Sequence, residues 1–284
     1  MTLREAIAEG AGALEAGRPG SPFLDASLLM AQALGVGRDA VLARLPEGIP
    51  PDALLQYRGF IQRRLAGEPV AYILGYREFY GRRFRVDHRV LVPRPDTELL
   101  VEVALALLPA PRGSDGGPPI RVHDAFAGSG CVGISLAAER PDIELSMSDA
   151  STDALAVCAR NCRTLLGREA AMLAGDILSA ASAPLDLITA NPPYVTSSFT
   201  DDILSNGSVE PRSALDGGNA GLDLYAPLAV QAAGLLRAGG YLVVEIGEEQ
   251  GRAVADILRN AGFTDIGILQ DLAGRDRVVR GEMP

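Results

Sequence analysis

Apolar residues recur at helical spacing through the first seventy positions. Leu24, Leu28 and Ala31 form one stripe and Leu54, Leu55, Phe60, Ile61 and Leu65 another, with Gly and Pro punctuating the gaps. The pattern predicts a bundle of three to five helices over residues 1–69, opened by Thr2 and Glu5 at the spacing of a capping box. Between residues 70 and 94 the period shortens. Tyr72, Ile73, Phe79, Tyr80, Phe84 and Val86 alternate around Gly75 and Gly81, which predicts a β-hairpin linking two domains. Pro95 suits a first helical position, and Asp96 and Glu98 suit the positive end of a helix running to about Leu108. Residues 109–119, rich in Pro, Gly and Ser, read as a loop. From Ile120 onward short apolar runs alternate with helical patterns: 120–126, 143–147, 171–174, 185–190, 241–246, 263–269 and 278–279. Six or seven strands joined by crossovers predict an α/β domain over 95–284, a twisted and largely parallel sheet with helices on both faces.

Composition narrows the chemistry. The 284 residues, 48% of them apolar, can bury the cores of about two domains. Twenty-six basic against 36 acidic side chains leave a net charge of −10, which argues against a general nucleic-acid or anionic-membrane partner. Every cation is arginine, so lysine chemistry is excluded. Cys131, Cys158 and Cys162 are too few and too clustered for a disulfide framework, which points to a reduced, cytoplasmic compartment. No leader-like or membrane-spanning pattern is expected, since the longest apolar candidate, 99–108, is short and broken by Glu102. Cys158 and Cys162 lie four apart on a predicted helix with no histidine nearby, so packing is expected there rather than metal binding. His88 and His123 stand isolated, and no metal is expected. The charge inverts locally: from Arg58 to Arg94 nine arginines face Glu68, Glu78 and Asp87, a local +6 that reads either as a solvated face or as a docking surface for an acidic or RNA-bound partner.

In a sheet of this kind ligands bind at the carboxyl ends of strands, and four of those ends carry chemistry. The first leads through Asp124 into Phe126, Ala127, Gly128, Ser129 and Gly130. Its glycines suit either close backbone approach to a ligand or tight helix packing. The second ends at Asp149, placed to accept hydrogen bonds from a ribose diol. The third, Gly175-Asp176-Ile177, offers an acid and an apolar neighbour suited to an adenine ring, or an ordinary turn acid. The fourth, Asn191-Pro192-Pro193-Tyr194, is the sharpest. Two prolines without N–H groups fix a turn whose carbonyls stand beside the Asn191 side-chain oxygen, with Tyr194 as a flat wall. Such a turn receives a planar nitrogen bearing two hydrogens.

Asp149 with residues 191–194 resembles the S-adenosylmethionine-dependent methyltransferases that modify planar nitrogens. Pro93-Arg94-Pro95-Asp96-Thr97-Glu98, Glu210-Pro211-Arg212-Ser213-Ala214-Leu215 and the terminal Asp271-Leu272-Ala273-Gly274-Arg275-Asp276-Arg277 are similar to the release-factor glutamine methyltransferases of the HemK type. The resemblance covers residue 70 to the end and is weaker over the N-terminal helices. It implies a Rossmann-like methyltransferase sheet with a small helical substrate-recognition domain. It further implies methylation, with S-adenosylhomocysteine as product, of the amide nitrogen of the glutamine in the Gly-Gly-Gln loop of class I peptide chain release factors, in support of translation termination. Carried over, Phe126 to Gly130, Asp149, Ile177 and Asn191 would contact S-adenosylmethionine, and Asn191, Pro192, Pro193 and Tyr194 the glutamine, with Asn191, Pro192 and Tyr194 catalytic. Glu98 and Glu210 would shape the substrate pocket. The family usually carries a small residue where this chain has Phe126. A ribosomal-protein glutamine or a nucleic-acid exocyclic amine are alternative acceptors, though stable nucleic-acid binding is not expected. A non-catalytic cofactor-fold binding module is the alternative of another class.

Overall fold

The computed structural model describes residues 1–15, 21–110 and 119–284; the loop expected over 109–119 lies largely outside them. The described residues form two compact units, Met1–Tyr76 with Ile203–Val209, and Arg77–Asp202 with Glu210–Pro284.

The first unit is helical: α1 (Leu3–Glu15), α2 (Pro22–Leu34), α3 (Arg38–Ala43), α4 (Pro51–Leu65) and α5 (Val70–Leu74). At the start of α1 the Glu5 N–H donates to the Thr2 hydroxyl at 3.3 Å and the Thr2 N–H donates to the Glu5 carboxylate at 2.8 Å, the reciprocal cap that the spacing predicts. Prolines open α2 and α4, where no N–H is needed. Leu3, Ile7, Leu29, Met30, Tyr57, Ile61 and Ile73 form the core of the unit. The hairpin expected over 70–94 is narrower, β1 (Tyr76–Phe79) and β2 (Arg82–Arg85). Residues 70–74 are a helical turn instead, framed by Pro69 and by Gly75 at φ 77°, and it buries Ala71, Tyr72 and Ile73 in succession.

The second unit continues through a 3-10 turn at Pro95–Thr97 into α6 (Glu98–Leu107), then β3 (Ile120–Ala125), α7 (Cys131–Glu139), β4 (Ile143–Asp149), α8 (Thr152–Leu166), β5 (Ala171–Ala174), β6 (Leu185–Ala190), α9 (Ser197–Ser205), whose residues from Ile203 on are counted with the first unit, a 3-10 turn at Arg212–Ala214, α10 (Tyr225–Leu235), β7 (Leu236–Glu245), α11 (Gly251–Asn260), β8 (Thr264–Gln270) and β9 (Asp276–Glu282). The seven strands from β3 to β9 form one sheet in the order β5-β4-β3-β6-β7-β9-β8. Pairing is parallel from β5 to β7 and antiparallel where β9 joins β7 and β8. Alternation along the strands feeds two cores. Val243 and Val278 point into one with α6, α7 and α8, while Leu242, Val244 and Val279 point into the other with α10 and α11. Cys158 and Cys162, fully buried on α8, belong to the first core.

The topology fixes where a ligand can enter. The chain begins the sheet in its middle at β3, builds outward to β5, and returns to lay β6 against the other side of β3. The connections from β3 and β6 therefore leave to opposite sides and open a crevice at the carboxyl ends of those two strands.

Candidate active site

A cavity of about 460 Å³ occupies that crevice, within the size range of cofactor sites. It is lined by Phe126, Ala127, Gly128 and Ser129 after β3, Asp149 after β4, Asp176 and Ile177 after β5, and Asn191 and Pro193 after β6. The segment before α6 adds Arg89, Pro93, Arg94 and Thr97, and Pro211, Ser213, Ala214 and Asp216 close the opposite wall. Residues from six separate segments of the sequence are thus brought together.

The glycine turn is held by Asp149. Its Oδ2 accepts the Gly128 N–H at 2.9 Å and its Oδ1 the Ser151 N–H at 2.8 Å. Each oxygen keeps a further lone pair for a ligand hydroxyl. The two glycines answer to different demands. Gly128 sits at φ 52°, and a Cβ there would meet only the Phe126 carbonyl oxygen at an ordinary 3.9 Å, so its need is conformational. Gly130 caps α7 at φ 80°, and a Cβ there would stand 2.6 Å from the Cys158 sulfur, so its need is packing, and it does not line the cavity. Phe126 and Ile177 are left-handed at φ 56° and 55° although neither is glycine, a strained geometry that surrounding bonds must hold. The Ser148 hydroxyl donates to the Ile177 carbonyl at 2.8 Å, and the next N–H, of Leu178, donates to Gln231 at 2.9 Å.

Behind Ile177 lies His123, fully buried between β3 and β4. Its Nε2 meets Ser148 Oγ at 2.9 Å and its Nδ1 meets Ser146 Oγ at 2.8 Å. Since Ser148 gives its own proton to Ile177, the imidazole donates from Nε2 and accepts at Nδ1. Burial pushes its pKa down to about 4, so the ring is neutral at physiological pH. Asp124, also buried, accepts from the Gly133 N–H at 2.9 Å and the Thr189 hydroxyl at 2.8 Å, and burial pushes its pKa up to about 7.

At the end of β6 the Asn191 Nδ2 donates to the Thr97 hydroxyl oxygen at 3.4 Å, which leaves Oδ1 as the acceptor on the cavity side. Pro193 joins Asn191 on the wall, while Pro192 and Tyr194 do not line it. Tyr194, expected as a flat wall, instead donates its hydroxyl to Glu245 Oε1 at 3.2 Å. The turn is braced from outside by residues 215–221. The Val195 N–H donates to the Leu215 carbonyl at 2.9 Å and the Gly217 N–H to the Val195 carbonyl at 2.8 Å. A Cβ on Gly217 would lie 2.5 Å from the Pro193 carbonyl oxygen, so only glycine allows this approach.

Glu210 does not line the cavity but shapes it. Its two oxygens accept from the Val92 N–H at 3.1 Å and from Arg94 at 2.6 Å, fixing the 92–95 segment at the rim. Glu98 is turned elsewhere, accepting the Tyr80 N–H at 2.8 Å, so the geometry gives it to the hairpin rather than to the cavity. The sequence reading missed Thr97 and Glu245, and gave His123 only a structural or surface role, of which the buried serine bridge is the structural one. Thr97 stood inside a quoted motif without a role, while Glu245 sits on a strand, where no spacing announces a polar residue.

Residues 5–75 match the family described as PrmC N-terminal domain, and residues 108–210 that described as methyltransferase small domain. A release factor glutamine methyltransferase of Moorella thermoacetica is 40% identical over 280 residues, covering 98% of this chain and 97% of that protein. One of Neisseria gonorrhoeae is 41% identical over 266 residues, covering 92% and 93%. A crystal structure of a methyltransferase from Pyrococcus furiosus shares the fold with a TM-score of 0.53 at 13% identity, covering 72% of this chain and 90% of that one.

Proposed function

The chain belongs to the release factor glutamine methyltransferase family, and from that premise we propose its reaction. It transfers a methyl group from S-adenosylmethionine to the side-chain amide nitrogen of the glutamine in the Gly-Gly-Gln loop of class I peptide chain release factors. The single observation that carries this reading is the orientation of Asn191, its NH2 engaged by Thr97 and its Oδ1 left as an acceptor on the cavity wall.

The cavity fits the cofactor. Phe126 to Ser129 supply a close-approaching backbone, Asp149 supplies acceptors for a diol, and Ile177 supplies an apolar face beside it. Asp124 and Asp149 suit a cationic ligand. When bound, S-adenosylmethionine supplies an electrophilic sulfonium methyl group.

The residues of the chain must overcome the weakness of the nucleophile. An amide nitrogen shares its lone pair with its carbonyl, and no lysine is present to act as a base. We assign one amide N–H to Asn191 Oδ1 on the cavity wall and the other to the carbonyl of Pro192, the next residue of the turn, which is itself set back from the cavity lining. That pairing turns the nitrogen lone pair toward the methyl donor and loosens its conjugation. Holding reactants at near-attack distance is worth about 7 to 11 kcal/mol. The same two acceptors stabilise the positive charge that grows on nitrogen, and their orientation is set before reaction. The proton then leaves to water. We assign the helical unit to release-factor recognition and the sheet unit to transfer. Acceptors such as a ribosomal-protein glutamine differ only in the protein presented, and the Pro93 to Glu98 motif favours the release factor.

Mass spectrometry of a release factor incubated with the protein and S-adenosylmethionine tests the proposal. One added methyl on the glutamine of its Gly-Gly-Gln peptide is expected. Methyl incorporation only into ribosomal protein or RNA would overturn the substrate assignment.

A further inference from the structure

The acceptor face of Asn191 depends on a hydroxyl whose own proton has to go somewhere else. Thr97 Oγ1 receives the Asn191 NH2 at 3.4 Å. A hydroxyl that also gave its proton back to Asn191 would favour the flipped amide, with NH2 toward the cavity and a donor facing the donors of the substrate. The group placed to take that proton is Glu245, at the end of β7 and 1% exposed. Its Oε1 accepts from the Tyr194 hydroxyl at 3.2 Å, its Oε2 is buried with no hydrogen-bond partner and so is open to a donor, and the Thr97 hydroxyl is near enough to the carboxylate to lower its pKa.

We propose that Glu245 is a positioning residue for methyl transfer: by accepting from both Thr97 and Tyr194, its carboxylate sets the flip of Asn191 and with it the acceptor that holds the substrate amide. The proposal rests on the reading of Asn191 given above and names what enforces it. Only an ionised carboxylate accepts at both oxygens, because a carboxamide or a protonated acid turns one of them into a donor.

The neighbours of Glu245 make its ionisation sensitive to pH. Burial pushes its pKa up to about 7, opposed by Thr97, Arg277 of β9 and the Tyr194 hydroxyl, and reinforced by Asp96 of the 3-10 turn. Tyr225 of α10 donates its hydroxyl to the Glu245 backbone carbonyl at 2.9 Å, and the Cys131 thiol on α7 also feels the charge. Arg277 is itself held by Asp271 at 3.4 Å and Asp96 at 3.5 Å. The terminal 271–277 motif thereby reaches the active site through Glu245 without touching the cavity.

The test compares Glu245→Gln, Thr97→Val and Thr97→Ser with the parent protein. The readouts are kcat across pH on a release factor, calorimetric affinity for S-adenosylhomocysteine, and affinity of the S-adenosylhomocysteine-loaded protein for a Gly-Gly-Gln peptide. Glu245→Gln and Thr97→Val are expected to lose on the order of 10- to 100-fold in kcat and to weaken peptide binding, with cofactor-product affinity unchanged. Thr97→Ser, which keeps the hydroxyl, restores both. In the parent protein kcat falls as pH drops through about 7, and Thr97→Val loses that limb. If Glu245→Gln fails to fold, the two Thr97 variants decide alone. Parent-like kcat and pH profile in Thr97→Val, or equal losses in Thr97→Val and Thr97→Ser, would overturn the role of Glu245. A parent protein that methylates no release factor would instead overturn the functional reading beneath it.

Discussion

On the proposed reading, Asp149 serves both the fold and the ligand. Spacing placed it at a strand end as a ribose acceptor, and in the structure each of its oxygens already holds a backbone N–H, one of them from the glycine turn. On that reading Asp149→Ala removes the proposed ligand contact and a support of residue 128 together. A hydrogen bond to a charged group is worth about 1.5 to 3 kcal/mol, so calorimetry should show S-adenosylmethionine affinity reduced by about 10- to 100-fold. The loss falls on binding more than on turnover, because a ribose contact is made alike in ground and transition states. Unchanged affinity would remove Asp149 from the site. Phe126 follows a similar logic. The residue occupies a left-handed backbone position at φ 56° that costs a non-glycine residue about 1 to 2 kcal/mol. Phe126 lines the cavity and packs against the second core.

At the scale of elements, β3 and β4 carry a device that no pattern announced. His123 and its two serines form a polar bridge across the parallel pair and, through Ser148, fix the carbonyl of strained Ile177. The imidazole is neutral when folded, with a pKa of about 4 against 6.5 when free. The unfolded chain therefore binds more protons between those values, and the stability contributed is present above pH 6.5 and lost as pH falls toward 4. At its full extent the loss is about 3 kcal/mol. Asp124 and Glu245, both raised to about 7, act in the opposite sense, losing their contribution as pH rises toward 7. The clean measurement is therefore a difference. The stability of the parent protein minus that of His123→Leu, from denaturant melts, should shrink between pH 7 and pH 4.5, and a constant difference would refute the neutral bridge. Elements with strong periods were legible: the capped first helix, the strand runs and the turn at Asn191 could be read because each obeys a local rule. The short helix at 70–74 was not, since five residues between Pro69 and Gly75 contain too little of either period to separate helix from strand.

For the whole molecule the sequence supplied the location of the site, at strand ends of a doubly covered sheet, but not the partners that orient it. Thr97 and Asn191 are 94 residues apart, and Tyr194 and Glu245 are 51 apart. Contacts of that separation come from topology, here the return of β6 beside β3 and of β7 beside β6. The same topology accounts for Glu210, which reaches back 118 residues to Val92. Among the described residues no helix is long and apolar enough to cross a membrane, and the net charge of −10 agrees with the proposed protein substrate better than with a nucleic acid. The account converges on Asn191 as the acceptor that aims an amide nitrogen. Its most direct test is the single-turnover rate of methyl transfer from S-adenosylmethionine to a purified release factor by Asn191→Ala, measured with cofactor saturating. A loss on the order of 100-fold or more is predicted, by analogy with deleting one preorganised hydrogen bond. A rate near that of the parent protein would contradict the account.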